Sequence, residues 1–136
     1  MKIDIWITPK AKEAFEEWLE PNMNGLEYGS GCSTIWIAKR VSTLMSIEHD
    51  EGWYDRVKHW ILEHRLSNVN LLLRRPASYV SVLTSFRRDE FDFIFIDGLA
   101  EHRNECITRS WSKLKKNGIM VIDNSDAWHS QEGIAY

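Results

Sequence analysis

Leu26-Glu27-Tyr28-Gly29-Ser30-Gly31-Cys32-Ser33-Thr34 sets an acid two places before a Gly-x-Gly loop, with an amphipathic run directly behind it. Further along, the apolar run Leu44-Met45-Ser46-Ile47 ends in a second acid, Glu48. The pattern is that of two parallel strands, each closing on a carboxylate beside a turn, with a helix between them. Gly29 and Gly31 open backbone conformations closed to other residues and, lacking a Cβ, let a ligand approach the main chain. The helix behind them, read over residues 33–41, directs unpaired N–H groups and its positive dipole end into the same space. Glu48, at the tip of the next strand, is placed to accept hydrogen bonds from both hydroxyls of a ribose.

A dinucleotide fingerprint needs a third glycine three residues further on, for close helix–strand packing. That place holds Thr34, and Glu27 would set a negative charge near a pyrophosphate. A nucleoside with an amino-acid tail suits the loop better, because its cationic amino group welcomes the same acid. S-adenosylmethionine is therefore expected in preference to NAD. The binding set expected for it is Glu27, Tyr28, Gly29, Ser30, Gly31, Ser33, Thr34, Glu48 and His49, with Asp97 from a later strand.

Outward from this loop, strands and helices alternate. The spacing predicts a short strand over Lys2–Ile7, where Ile3, Ile5 and Ile7 fall on one side, then a helix opened by Thr8-Pro9. Trp53, Val57, Trp60, Ile61 and His64 recur at helical spacing. Val69–Leu73 reads as a third strand, and Tyr79, Val80, Leu83 and Phe86 suit a short helix after Pro76. Phe91 to Asp97 is apolar on both faces, as a central parallel strand should be. A helix over 101–114, broken by Asn117-Gly118, leads to a fifth strand over Ile119–Ile122 that runs into Asp123-Asn124.

The fold class is thus α/β: a Rossmann-like, mostly parallel sheet of about five strands with helices on both faces. The chain is read as one domain over residues 1–136, with an N-terminal strand and helix in 1–24 and a cofactor-binding core in 25–126. Ligands of such sheets bind outside the carboxyl ends of the strands, where strand order reverses. Glu27, Glu48, Asp97, Asp123 and Asn124 all fall at such ends.

The bulk numbers agree. A chain of 136 residues is large enough for its own core, and 43% hydrophobic with 27% charged residues is ordinary for a soluble globular protein. A net charge of −3 supplies no basic face, so nucleic acid is not an expected partner. Two cysteines in different elements offer neither a disulfide framework nor zinc spacing, and no apolar run approaches a signal peptide or a membrane span. A cytoplasmic protein without membrane contact is the expectation. Seven tryptophans, scattered along the chain, are first explained by core packing.

Gly25 to about Asp126 resembles the class I S-adenosylmethionine-dependent methyltransferases. Leu26–Gly31 resembles the first motif, Ser46–Asp50 the ribose-binding strand end, and Ile94–Gly98 and Gly118–Asn124 the fourth and fifth strands. In detail the chain is similar to small bacterial and phage-type methyltransferase-like proteins. These share Tyr28–Thr34, Glu48–Asp50 with Trp53-Tyr54, Ile96–Gly98 with Arg103 and Cys106, and Asp123–Asp126. The resemblance implies methyl transfer to a small-molecule acceptor, the alternative being an incomplete S-adenosylmethionine-binding module that needs a partner chain. The family sheet usually ends in two more strands that this sequence lacks. Either the sequence is a fragment, or the open fifth-strand edge is expected to be covered by a second copy of the chain or by the Lys2–Ile7 strand, its own or a partner's.

Methyl transfer needs an acceptor aligned with the sulfonium and relieved of its proton. Asp97, Asp123 and Asn124 resemble the divalent-metal triad of catechol-O-methyltransferase-like enzymes, in which Mg²⁺ would lower the pKa of an acceptor hydroxyl and make the transfer O-directed. Asp97, His102 and His129 are the candidate catalytic groups. Base methylation in nucleic acids is disfavoured, since the fourth strand ends Asp97-Gly98-Leu99 rather than in a Pro-Pro-aromatic turn.

Overall fold

The computed structural model describes residues 3–126 and 128–135. Helix α1 (Pro9–Trp18) opens the regular structure, with Thr8 accepting the Ala11 N–H at its N-terminus and proline in the first turn. Then β1 (Asn24–Tyr28), α2 (Cys32–Ala38), β2 (Thr43–Glu48), α3 (Glu51–Glu63) and β3 (Val69–Leu73) alternate. The short α4 (Pro76–Tyr79) runs into a 3-10 turn, Ser81–Ser85. β4 (Phe91–Ile96), α5 (Arg103–Ser110), β5 (Leu114–Ile122) and α6 (Trp128–Ala135) follow. The five strands are all parallel, in the order β3-β2-β1-β4-β5. The chain thus builds outward from β1 to β3, then returns to the other side of β1 for β4.

Strand alternation sorts the core into two halves. Leu26, Tyr28, Ile47, Ile94 and Ile96 face α4, its 3-10 turn and α5 through Tyr79, Leu83, Cys106 and Ile107. Leu44, Phe93 and Phe95 face α1 and α2 through Phe15, Trp36 and Ile37. Phe91 and Phe93 are two apart and would share a face, yet they join opposite halves. A register slip between them against β5 accounts for the switch.

Three sequence expectations are corrected. Ile3–Ile7 is not a strand. Only Ile5 is buried, at 4% exposure, and it packs with Phe15 and Phe93 on the α1 face rather than pairing with a sheet edge; Lys2 lies outside the described residues. Helix α2 stops at Ala38, three residues short of the expected end. The helix read over 101–114 ends at Ser110, a 3-10 turn takes Trp111–Lys113, and β5 begins at Leu114. Asn117, at φ +66°, and Gly118 lie inside that strand, and a Cβ on Gly118 would meet the Asp92 carbonyl oxygen at 2.6 Å. Among the described residues β5 pairs with β4 alone.

Gly25 stands opposite Phe93 in the β1–β4 ladder, and a Cβ there would lie 2.0 Å from Phe93 Cζ. The phenyl ring fills the space that the glycine leaves. Gly25→Ala is expected to destabilise the fold by about 1–3 kcal/mol through overpacking, and Phe93→Leu in the same chain to recover part of the loss. Urea unfolding of the two single variants and the double variant checks this; additive losses would mean that the two positions are not coupled.

Candidate functional site

The reversal of strand order lies between β1 and β4, and a cavity of about 460 Å³ opens there, outside the carboxyl ends of the strands. Three strand ends build its wall. Gly29 to Ser33 follow β1, Glu48, His49, Asp50 and Trp53 follow β2, and Phe95, Asp97 and Gly98 belong to β4 and its turn. Trp6, from the N-terminal segment, completes it.

The glycine loop turns on Gly29, at φ +89°, where a Cβ would lie 2.6 Å from the Asp97 carbonyl oxygen. Gly31 is different. Its φ of 176° is open to any residue, and a Cβ there would only touch the Trp53 ring at 3.5 Å. The special backbone conformation expected at both glycines is thus used only at the first.

Glu27 is fully buried beneath the loop and does not line the cavity. It stands opposite Ser46 in the β1–β2 register. Its carboxylate accepts hydrogen bonds from the hydroxyls of Ser33 (2.5 Å), Thr34 (2.6 Å) and Ser46 (2.6 Å). Ser46 has given its only proton to Glu27, so the 2.7 Å contact with Ser30 is a bond that Ser30 donates. Thr34 Oγ1 in turn accepts the Gly31 N–H at 2.9 Å. Burial pushes Glu27 up to about 7, against the pull of the three hydroxyls.

Glu48 is the acid at the cavity wall. Its Oε2 accepts the Ser30 N–H at 2.9 Å, and its Oε1 accepts the N–H groups of His49 (2.8 Å) and Asp50 (2.9 Å). Asp50 caps α3 by accepting the Trp53 N–H at 2.7 Å. The Trp53 indole N–H donates to the Ser30 carbonyl, while Trp60 packs edge-on at 5.9 Å and the Arg56 guanidinium lies 4.7 Å from the ring centroid. Trp53 thereby ties the glycine loop to α3.

At the opposite end, Asp97 lines the cavity with the Asp123 carboxyl in hydrogen-bond reach. Burial first, then the like charge and hydrogen bond of Asp123, raise the Asp97 pKa, and Arg103 pulls the other way. Arg103 is 5% exposed; it donates to the carbonyls of Asp123 and Gly98, each at 2.8 Å, and stands 3.6 Å from Asp97 Oδ1.

Of the expected site residues, Gly29, Ser30, Gly31, Ser33, Glu48, His49 and Asp97 meet at the cavity. Glu27, Tyr28 and Thr34 lie behind it; the Tyr28 ring packs on Tyr79 at 5.0 Å. His102 is outside the lining, 3.8 Å from Glu105, and the side chain of His129 lies outside the described residues. Asn124 is exposed, at φ +49°. The donor set does not fit a divalent ion well, because Arg103 already supplies the positive charge beside Asp97. Among the described residues no three His, Cys, Asp or Glu side chains gather as metal ligands. Trp53 and Arg103, named only as motif residues, and Trp6 stand outside the binding and catalytic sets expected from the sequence. The indole spacing of α3 reads as core, and only the tertiary structure shows where each polar atom points.

A family model described as "Methyltransferase domain" matches residues 26–125. The chain belongs to this methyltransferase domain family. Among solved structures it is similar to precorrin 8W decarboxylase from Methanobacterium thermoautotrophicum, at 17% identity and TM-score 0.72, over 88% of this chain and 64% of that one. Precorrin-6Y C5,15-methyltransferase from Geobacter metallireducens gives 17% and 0.70, over 90% and 66%. A SAM-dependent methyltransferase from Thiobacillus denitrificans, in complex with S-adenosyl-L-homocysteine, gives 18% and 0.65, over 85% and 48%. The chain spans about half to two-thirds of the length of these proteins. At such identities the likeness shows the fold. Among curated proteins none matches the chain. No helix among the described residues is long and apolar enough to cross a membrane.

The raised Glu27 pKa has a direction in pH. The folded chain binds this proton more tightly than the unfolded chain, so the contribution is full below about 4.5 and is lost as pH rises through about 7. Glu27→Gln is therefore expected to gain on the parent protein by on the order of 3 kcal/mol between about pH 4.5 and 8. Urea midpoints across that range check it, and a difference that stays flat with pH would contradict the assignment.

Proposed function

We propose that this chain binds S-adenosylmethionine in the switch-point cavity and transfers its methyl group to a small-molecule acceptor. The observation that carries the reading is the Ser30 N–H bond to Glu48. It holds the glycine loop and a ribose-seeking carboxylate in one wall of the cavity, at 2.9 Å. When bound, the cofactor supplies a methyl group on a sulfonium, which departs as a neutral thioether.

The residues divide the remaining work. Glu48 has three of its roughly four acceptor sites filled by backbone N–H groups, which fix its orientation and leave about one, on Oε2, for a ribose hydroxyl. The His49 ring, edge-on to Tyr79 at 5.8 Å, flanks the place for the adenine. The glycine loop receives the amino-acid tail, and Glu27 acts through that loop rather than by touching the ligand. Asp97 takes the proton from the acceptor, held by Asp123 and Arg103. It is preferred to His102 because it lines the cavity. The O-directed reading with Mg²⁺ has weaker support, because Arg103 occupies the position beside Asp97 where a cation would act.

Calorimetric titration with S-adenosylmethionine and S-adenosylhomocysteine, with and without Mg²⁺, tests this. Dissociation constants on the order of 1–100 μM are expected, independent of Mg²⁺, with binding lost in Glu48→Ala. Trp53→Phe, which keeps the ring and removes the indole N–H, is expected to weaken binding about five- to tenfold, one hydrogen bond's worth. A folded sample that binds neither compound, or binds NAD with Glu48-dependent affinity, would overturn the reading. Mg²⁺-dependent affinity would restore the metal triad.

A second reading has an observation of its own. The edge of β5 pairs with nothing among the described residues, and Ile119 to Ile122 on it are half-buried. A copy of the chain or a partner strand seated on that edge would make the site depend on association. Sedimentation is expected to show a dimer, and an active monodisperse monomer would dismiss this arrangement.

A further inference from the structure

Of the three hydroxyls that hold Glu27, only that of Ser33 belongs to a residue that also lines the cavity. Thr34 and Ser46 both donate to Oε2, whereas Oε1 accepts from Ser33 alone among the described residues. With one donor in place of two, Oε1 is the more basic oxygen and the one that takes a proton. Thr34 Oγ1 already accepts the Gly31 N–H, and Ser46 Oγ accepts the Ser30 hydroxyl. The Ser33 hydroxyl receives no hydrogen bond from a described residue. A serine has one proton to give, and this fixes what Ser33 shows the cavity. With Glu27 ionised, that proton points inward and Ser33 can only accept from a ligand. With Glu27 protonated at Oε1, the carboxyl donates to Ser33 Oγ, and the serine proton turns outward. One proton on a buried acid thus converts the wall from acceptor to donor.

The charged groups that couple to Glu27 are acids. Glu48 of β2 raises its pKa, and Glu27 in turn raises that of Asp97, which follows β4. Helix α2 contributes only the hydroxyls of Ser33 and Thr34. With no cation among these groups, a cation carried by the ligand supplies the counter-charge that the cage lacks. We propose that Ser33 receives the ammonium of the cofactor's amino-acid tail, and that this contact drives a proton off Glu27 into solvent. The inference rests on the S-adenosylmethionine reading above. It adds which end of the tail meets Ser33 and what the buried acid does in response. The ammonium keeps its protons and donates a hydrogen bond to Ser33 Oγ; the proton released is the one Glu27 held. Because Glu27 lies at about 7 without ligand, both of its states are populated near neutral pH. The cofactor selects the ionised state, so affinity rises with pH toward about 7 and levels off above it. A carboxylate at the same place would do the reverse and take up a proton.

The test is calorimetric titration of the full chain with S-adenosylhomocysteine at about pH 6.5, in buffers of different ionisation enthalpy, which counts the protons exchanged. Release of about half a proton per ligand is expected, with affinity rising roughly fivefold between about pH 5.5 and 7.5. Methylthioadenosine, which has the nucleoside and thioether without the tail, should release none. Glu27→Gln should abolish the release and the pH dependence. Ser33→Ala should remove most of the release. Ser46→Ala, which also takes one donor from Glu27 but leaves Ser33 in place, should keep it. No release, uptake instead of release, equal release with methylthioadenosine, or release retained in Ser33→Ala would overturn the proposal. So would release that survives Glu27→Gln and vanishes in Asp97→Asn, which would give the proton to Asp97. Urea unfolding establishes that each variant is folded; should Glu27→Gln fail to fold, the contrast of Ser33→Ala with Ser46→Ala decides. Absence of S-adenosylhomocysteine binding overturns the cofactor reading and this inference with it, whereas binding without proton exchange overturns this inference alone.

Discussion

A carboxylate sealed from water is tolerable only when its lone pairs are filled, and at Glu27 they are filled by the elements that shape the site. Ser33 and Thr34 come from the first turn of α2, and Ser46 comes from the neighbouring strand. Ser30, in the loop itself, is bound to Ser46. Thr34 also receives the Gly31 N–H, so the backbone of the loop hangs on the same network. With the Gly29 turn, these bonds give the loop one shape, and every other contact at the cavity is measured from it. The network is high in stakes because a half-filled set of partners would leave a charge buried with no return.

The three acids at the strand ends look alike along the chain and differ in what surrounds them. Glu27 lies inside a cage of hydroxyls and serves the loop. Glu48 is turned by backbone N–H groups into the cavity wall. Asp97 shares its place with Asp123 and is raised by burial and by that neighbour. In the proposed reading environment, rather than residue type, divides one family of side chains among support, ligand recognition and proton transfer.

Much of this architecture was legible. The continuous apolar run of β4 could only be a central parallel strand, and the acids at the ends of β1 and β2 located the loop and the switch point. The misreadings have physical causes. Ile3, Ile5 and Ile7 alternate as a strand does, but only Ile5 reaches the core, and the segment finds its place on α1 rather than on a ladder. Lys115-Lys116-Asn117-Gly118 reads as a helix end because the left-handed residue and glycine that stop helices also serve an irregular edge strand. The pairing of Glu27 with Ser46 carries a signal that single-strand reading misses. In parallel register the two positions face each other beneath α2, so an acid opposite a serine, with Ser33 and Thr34 above, marks a buried cage rather than a ligand contact.

Arg103 explains how the far wall can hold two acids side by side. Its guanidinium bonds the carbonyls of Gly98 and Asp123, which end separate strands, and so fixes the distance between the turns after β4 and β5. The same group stands 3.6 Å from Asp97, where its charge offsets part of the repulsion between the two carboxyls, while burial and Asp123 still raise the Asp97 pKa. A rigid planar cation suits this double duty, because its fork holds two carbonyls while its face of charge stays put. A mobile ion would balance the charge but would not tie the backbones. In the proposed reading Asp97 acts as a base at this wall, its negative charge supported by a group that also sets where it sits.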